Sequence, residues 1–451
     1  MADLFDTIAA EATPPGRGAV RVVRISGSKA LPILKSTFSA KGPAPWDRPR
    51  CLCLGDVGLP GRPPLDRALA VCFAAPDSFT GEDVVEIQAH GAPGVIRGLL
   101  DLAGAAGARM ALPGEFSYRA YLNGKVTVME AEAVNALVEA ETDGQAAGLG
   151  GGLRGGLERD LRQIQESIMD LRAECEARID FPEDVETPSL VPVREKVAGF
   201  AGELENLLER SSSLRYLREG WRVALVGPVN SGKSSIFNAL LRRERALVTP
   251  HPGTTRDVLE ESLQIGGYPL ILIDTAGVRE TQDPIECLGV ARGQEVAGLA
   301  DAALLVFDGH KGWGCEEEVL LGQLPASPLA ILANKADLGL TGGPHPEHGE
   351  HLAISALTGE GLDALIRRVQ AWMEEGAPKG REVFTADRQV ETVRRSLEGC
   401  RAALQSLEAG ESEELAAQGL SLAQRALDEC LTGGDAEDLY DRIFSKFCIG
   451  K

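Results

Sequence analysis

The chain reads as a multidomain α/β and α protein, with an α+β domain, a discontinuous helical domain and an inserted P-loop α/β domain. Three observations predict this class. Short β-branched runs separated by Pro and Gly clusters fill the stretch from Asp6 to about Phe116. Apolar residues recur at helical spacing from about Val126 to Leu217 and again after residue 378. Between the two helical blocks, an apolar strand runs into the pattern G-x-x-x-x-G-K-[ST]. The expected boundaries are 1–118 for the N-terminal domain, 119–217 and 378–451 for the two helical parts, and 218–377 for the insert.

Taken in order, "AVRVVRIS", "RALAVCFAA" and "DVVEIQAHG" are strand candidates of the first domain. "AEAVNALVEAE" and "LRQIQESIMDLRAECEARI" are long helices. The run "GLGGGLRGG" (148–156) interrupts them, because each glycine costs about 1 kcal/mol relative to alanine inside a helix, so a break is expected there. "DRQVETVRRSLEGCRAALQSLEAG" and "ELAAQGLSLAQRALDECLTG" resume the helical pattern toward the terminus.

Composition narrows the function. Lys+Arg total 46 against Asp+Glu 67, a net charge of -21, so the field of the whole chain repels polyanions. A nucleic-acid role then needs a local basic patch or a basic partner. The basic runs at 211–221, 240–246 and 388–396 read as solvated helix faces. No apolar run approaches the ~20 residues of a membrane span, and the opening lacks a basic start followed by an apolar block, so a cytoplasmic protein is expected. The odd count of 9 cysteines suits reduced thiols, mostly small buried apolar residues, and Cys51 and Cys53 are too close for the usual zinc pair.

The chemistry concentrates in the insert. Gly227 and Gly232 let backbone N–H groups wrap phosphates, Lys233 reaches the β and γ phosphates, and the Ser234 hydroxyl suits Mg²⁺. Downstream come "PGTTRD", "PLILIDTAG", "LAILANKAD" and "ISALTG", an order that resembles the Ras-like, translation-factor-type GTPases. That resemblance implies roles for several residues. Thr255 closes over the γ-phosphate and completes the Mg²⁺ shell, Asp274 supports the metal through water, and Gly277 senses the γ-phosphate. Asn334 and Asp337 hold the base, and a carboxylate accepting two N–H bonds selects guanine, so GTP is the nucleotide. Asn230, Ser231, Ser235, Thr249, Thr254, Thr275, Ala276, Lys335, Ser355 and Ala356 complete the nucleotide set.

Val278 stands where familiar GTPases carry a water-orienting Gln, and it cannot orient water. Catalysis must come from elsewhere. Asn230, with backbone carbonyls of "VTPHPGTT", can cage a K⁺ beside the phosphates. Glu286 can polarise the attacking water, although composition alone makes it a solvated helix position.

Over nearly its whole length the chain resembles the bacterial tRNA-modification GTPases called MnmE or TrmE. The resemblance rests on "DTIAAEATPPGRGAVRVVRISG", "SFTGEDVVEIQAHG", "PGEFSYRAYLNGK", "EAEAVNALVEAET", "GPVNSGKSS", "PGTTRD", "DTAGVRET" and the terminal "CIGK". It implies a homodimer that works with the flavoprotein MnmG, as a heterotetramer, to place a carboxymethylaminomethyl or aminomethyl group at C5 of the wobble uridine of certain tRNAs. FAD enters only through that partner. The one-carbon unit comes from a tetrahydrofolate derivative, in its 5-formyl or 5,10-methylene form, bound by the N-terminal domain. Carried over, the folate contacts are Arg24, Glu86, Lys125 and Lys451, and the K⁺ contacts are Asn230, Thr249, His251 and Thr254. Glu286 becomes the glutamate of hydrolysis beside Lys233, and Cys448 the reactive tail cysteine.

Read without the family, Arg24 and Lys125 are surface charges. The chain departs from the family pattern at Leu112 in "ALPGEF" and at Ala92 after Gly91. The tail itself has the outline of a prenylation box, but it ends in Lys451 with no polybasic run upstream, so no membrane anchor is expected and a frayed end is the plainer alternative. Two other functions compete: a ribosome-assembly GTPase, which needs an RNA-binding module, and a GTP-driven scaffold.

Overall fold

The computed structural model describes residues 6–180, 190–243, 245–246, 259–274, 300–324, 329–344, 348, 351–376, 384–409, 413–434 and 436–450. The chain divides into two compact units, one of Met1–Asn135, Glu158–Leu204 and Ala386–Lys451, the other of Ala136–Leu157 and Glu205–Thr385.

The first unit holds a seven-stranded sheet. Its strands are β1 (Thr7–Glu11), β2 (Gly18–Ser26), β3 (Phe38–Ala40), β4 (Cys53–Val57), β5 (Asp66–Phe73), β6 (Val84–Gly91) and β7 (Ala108–Met110), in the order β3-β4-β5-β6-β2-β1-β7. All pairings are antiparallel except β1 with β7. Side chains alternate faces along a strand. Val23 and Ile25 of β2 therefore join Val85 and Ile87 of β6 in a core with Ile33, Leu34, Ile96 and Leu99 of the helices Ala30–Thr37 and Pro93–Ala105. Each such aliphatic burial contributes about 1.5–3 kcal/mol. The same alternation turns Arg24 and Glu86, which are register partners, to the opposite face.

Charges fasten the edge of this sheet. Asp6 and Glu115 accept hydrogen bonds from both Arg109 and Arg119, and Arg119 also reaches Glu82 at 3.1 Å. Glu82 in turn accepts from Ser26 Oγ at 2.7 Å. Arg119 is 1% exposed, and desolvation at that depth is offset only by partners of this kind.

The helices Asp387–Glu408 and Glu413–Thr432 pack through paired glycines. A Cβ at Gly399 would lie 2.8 Å from the Gly419 carbonyl oxygen, and one at Gly419 would lie 2.8 Å from the Ala403 nitrogen. Within this layer Arg388 is not the solvated cation the sequence suggests. It forms two 2.9 Å bonds to the Glu132 carboxylate and donates to the main-chain oxygens of Glu429 and Cys430. Its neighbours Gln389, Thr392 and Val393 are buried because the helix needs this face for packing.

The second unit is built on β8 (Trp221–Val226), β9 (Arg245–Ala246), β10 (Leu259–Ile265), β11 (Tyr268–Asp274), β12 (Ala302–Asp308), β13 (Leu329–Asn334) and β14 (His351–Ala353), in the order β14-β13-β12-β8-β11-β10-β9. The five strands from β14 to β11 run parallel, while β10 and β9 pair antiparallel. Parallel strands covered on both faces read as apolar runs, as β12 does from Ala302 to Phe307, with all its residues buried. The glycine-rich stretch breaks the helical pattern as expected: one helix ends at Leu149, a 3₁₀ turn spans Gly152–Arg154, Gly155 is left-handed at φ 64, and the next helix begins at Gly156.

Cys53, Cys72, Cys175, Cys400 and Cys430 are buried free thiols. No helix among the described residues is long and apolar enough to cross a membrane.

Candidate active site

The carboxyl ends of the parallel strands in the second unit carry the phosphate loop, in agreement with the general placement of ligands on such sheets. β8 ends at Val226, and the helix Lys233–Arg243 starts immediately after the loop, with its N-terminal N–H groups facing it. Lys233 Nζ donates to the carbonyls of Gly227 and Pro228 at 2.7 and 2.8 Å. Burial pulls its pKa down, against the pull of the Asp274 carboxylate. Ser234 Oγ donates to Asp274 Oδ2 at 2.7 Å. A hydroxyl and a carboxylate so placed form an oxygen pair that suits a hard divalent cation. Ser231 Oγ is buried without a hydrogen-bond partner among the described residues, a polar atom on the site's wall that a ligand can satisfy.

The residues expected at the base close on the same loop. Asn334 ends β13, donates from Nδ2 to the Ser231 main-chain carbonyl at 3.0 Å and accepts from the Ala356 nitrogen at 3.2 Å. Gly232 must be glycine here, since a Cβ would fall 2.1 Å from Asn334 Nδ2. Lys335, at φ 65, donates to the Asn230 carbonyl at 3.0 Å, and Asn230 is itself left-handed at φ 62. Ser355 Oγ donates to Asp337 Oδ1 at 2.6 Å, which orients an otherwise exposed carboxylate. Ser235 lies exposed on the helix turn that follows.

The structure therefore brings together Asn230, Ser231, Gly232, Lys233, Ser234, Asp274, Asn334, Lys335, Asp337, Ser355 and Ala356. Thr249, His251, Thr254, Thr255, Thr275, Ala276, Gly277, Val278 and Glu286 lie outside the described residues. One participant escaped the sequence reading: Asp308, which binds Lys335 Nζ at 2.6 Å. Its signal was present, since it closes the apolar strand "AALLVFD" as Asp274 closes "PLILID".

A second constellation lies on the first unit's sheet. Arg24 Nε donates to Glu86 Oε1 at 2.9 Å, and the guanidinium stands 5.3 Å from the Phe79 ring and 5.7 Å from the Phe116 ring. Its other arm reaches the Gly450 carbonyl at 3.4 Å. The tail is seated, not frayed. Phe444 and Phe447 are buried, Phe444 lies 5.3 Å from Tyr118, and the Cys448 carbonyl accepts from the Gly114 nitrogen at 3.3 Å. Gly450 is left-handed at φ 94, and a Cβ there would lie 2.2 Å from the Glu11 oxygen, so only glycine lets the tail settle on β1. Cys448 is exposed, and the Lys125 side chain runs past Gly81. Lys451 lies outside the described residues. Among the described residues there is no cluster of three or more His, Cys, Asp or Glu able to hold a metal.

Comparison with known proteins covers the whole chain. Residues 128–448 match the model of the MnmE helical domain, and residues 7–125 match that of the GTP-binding protein TrmE N-terminus. A tRNA modification GTPase MnmE from Symbiobacterium thermophilum is 42% identical over 99% of this chain and 99% of its own. Its counterpart from Thermus thermophilus is 41% identical over 100% of both chains. Among solved structures, an Aquifex aeolicus Era bound to GDP and AlF4⁻ is 26% identical, covering 40% of this chain and 66% of its own with a TM-score of 0.27.

Proposed function

The chain belongs to the MnmE family of tRNA modification GTPases, and from that premise we propose that it couples GTP hydrolysis to modification of the wobble uridine of certain tRNAs. In this reading a homodimer assembles with the flavoprotein MnmG into a cytoplasmic heterotetramer. The assembly adds a carboxymethylaminomethyl or aminomethyl group at C5, with the one-carbon unit drawn from a tetrahydrofolate derivative. FAD stays with the partner.

On the nucleotide side, Lys233 exchanges its loop carbonyls for the β and γ phosphates, and helix Lys233–Arg243 adds its N-terminal amides. Ser234 and Asp274 are the residues that would hold Mg²⁺, the latter through water, with Thr255 completing the shell. The ion supplies charge neutralisation at the phosphates. Asn334, Asp337, Ser355 and Ala356 take the guanine. Asn230, with Thr249, His251 and Thr254, would hold K⁺ beside the phosphates, where it supplies what an arginine finger supplies elsewhere. Glu286 polarises the attacking water.

On the modification side, the supporting observation is the meeting of Arg24, Glu86 and the tail carbonyl of Gly450, with two phenyl rings beside the guanidinium. The residues fit a folate. Glu86 accepts paired donors of a pterin, the rings flank an aromatic plane, and Arg24, Lys125 and Lys451 offer cations to the glutamyl carboxylates. Cys448 lies exposed on the same seated tail, where it completes the site.

Nucleoside mass spectrometry of tRNA tests this reading. A strain lacking the gene should lose the modified wobble uridine, and the intact gene should restore it. Arg24→Ala, or deletion of 448–451, should fail to restore it while the purified variants still hydrolyse GTP. Normal wobble uridines in the deletion strain would remove the proposal.

A further inference from the structure

We infer that Asp308 is a positioning residue for guanine-nucleotide binding, holding Lys335 in place against the phosphate loop. The inference rests on the nucleotide-site reading above and extends it to a residue outside the recognised motifs.

The fold delivers Asp308 by register. It ends β12 directly opposite Asn334 at the end of β13, so the strand pairing that sets Asn334 sets Asp308 as well. The carboxylate then divides its acceptors. Oδ1 takes the backbone N–H groups of His310 at 3.1 Å and Lys311 at 3.4 Å, which fixes the turn after the strand. Oδ2 takes Lys335 Nζ at 2.6 Å, and the same ammonium donates to the Asn230 carbonyl at 3.0 Å. One carboxylate thus joins three segments: its own turn, the "NKAD" loop and the phosphate loop.

The pair is well placed to matter. The Asp308 side chain is 11% exposed and that of Lys335 is 33%, so solvent screening is incomplete. Burial alone would push the Asp308 carboxyl up, but the Lys335 hydrogen bond and charge hold it below the usual carboxylate range, ionised at neutral pH. Lys335 has a four-carbon stem with many rotamers, on a backbone at φ 65 that few non-glycine residues adopt. Pinned at Nζ, that stem is ordered before the nucleotide arrives. Without Asp308, its ordering would be charged against binding, so the loss falls on affinity.

The experiment is a double-mutant cycle on the full-length chain, with fluorescent GDP and GTP titrated into Asp308→Asn, Lys335→Gln and the double variant. Asparagine keeps the acceptor for the turn and removes the charge. Each single variant should weaken binding of both nucleotides by about tenfold, the scale of one charge-assisted hydrogen bond. The double variant should bind no worse than Lys335→Gln alone, because Asp308 acts through that side chain. Losses that multiply in the double variant would show a merely structural role and overturn the inference, as would unchanged affinity in Asp308→Asn beside a weakened Lys335→Gln. Unchanged affinity in Lys335→Gln would instead overturn the nucleotide-site reading. Asp308→Ser enters the same cycle should Asp308→Asn fail to fold.

Discussion

Asn230 shows how much one residue of the phosphate loop has to do. Its backbone is left-handed at φ 62, its carbonyl accepts from Lys335, and its side chain is the proposed first ligand of a monovalent cation. The chain has Val278 where a water-orienting Gln would stand, so in the proposed mechanism hydrolysis leans on that cation and on Glu286. GTP turnover measured by phosphate release should therefore be at least tenfold faster in K⁺ than in Na⁺, because an oxygen cage of this kind fits the larger ion. Asn230→Ala should abolish the difference. Equal rates in both salts for the unaltered protein would remove the cage from the mechanism. The asparagine was legible as a candidate because it sits inside a recognisable motif. Its bond to Lys335 was not, since the two are 105 positions apart and meet only through the order of strands.

Among the elements, the helix pair Asp387–Glu408 and Glu413–Thr432 depends on two absent side chains. Gly399 and Gly419 face each other's backbone at distances no Cβ tolerates. Periodicity identifies both helices and much of their buried face, Leu397, Ala403, Leu420 and Leu427 included. It does not say which glycine marks a close crossing, because a glycine in a helix reads first as a flaw. Gly419→Leu forces the helices apart. Overpacking of this sort costs about 1–3 kcal/mol or more, and the thermal midpoint followed by circular dichroism should fall by several degrees. A midpoint equal to that of the parent would contradict the crossing. The basic run 388–396 makes the same point from the other side, since Arg388 spends its charge on Glu132 rather than on solvent.

For the molecule as a whole, acid is the revealing perturbation. Asp6 and Glu115 lie against Arg109 and Arg119; burial alone raises both carboxyls, and the guanidinium hydrogen bonds outweigh it and hold both below their ordinary values of 3.8 and 4.5. A carboxyl depressed in the folded state stabilises that state above its unfolded pKa and loses the contribution as pH falls through the folded one. The network should contribute fully at neutral pH and above, and begin to fail below about pH 4.5. Urea midpoints should be flat from pH 7 to 5 and decline below that. In Glu115→Gln the decline from pH 5 to pH 3 should be shallower than in the parent, and an unchanged slope would show that these groups are not linked to folding. The net charge of -21 bears on the same scale, since a tRNA must meet a local surface or a partner and not the mean field.

What depends on near neighbours could be read from the chain alone. It held the phosphate loop with Lys233 and Ser234, the helical periods, the break at 148–156 and the segments that mark the family. These signals are local because backbone propensity and hydrophobic period act over a few residues. Which distant residues meet was settled only by the fold. Arg24 faces Glu86 across 62 positions because β2 and β6 pair in one register, and a slip of β2 by one residue would turn Arg24 to the other face, away from Glu86. The Gly450 carbonyl reaches Arg24 across 426 positions because Phe444 and Phe447 find a pocket beside Tyr118. Asp308 gained its partner when β12 and β13 lay side by side. Period two tells a residue its face, but only the closed sheet tells it its neighbour.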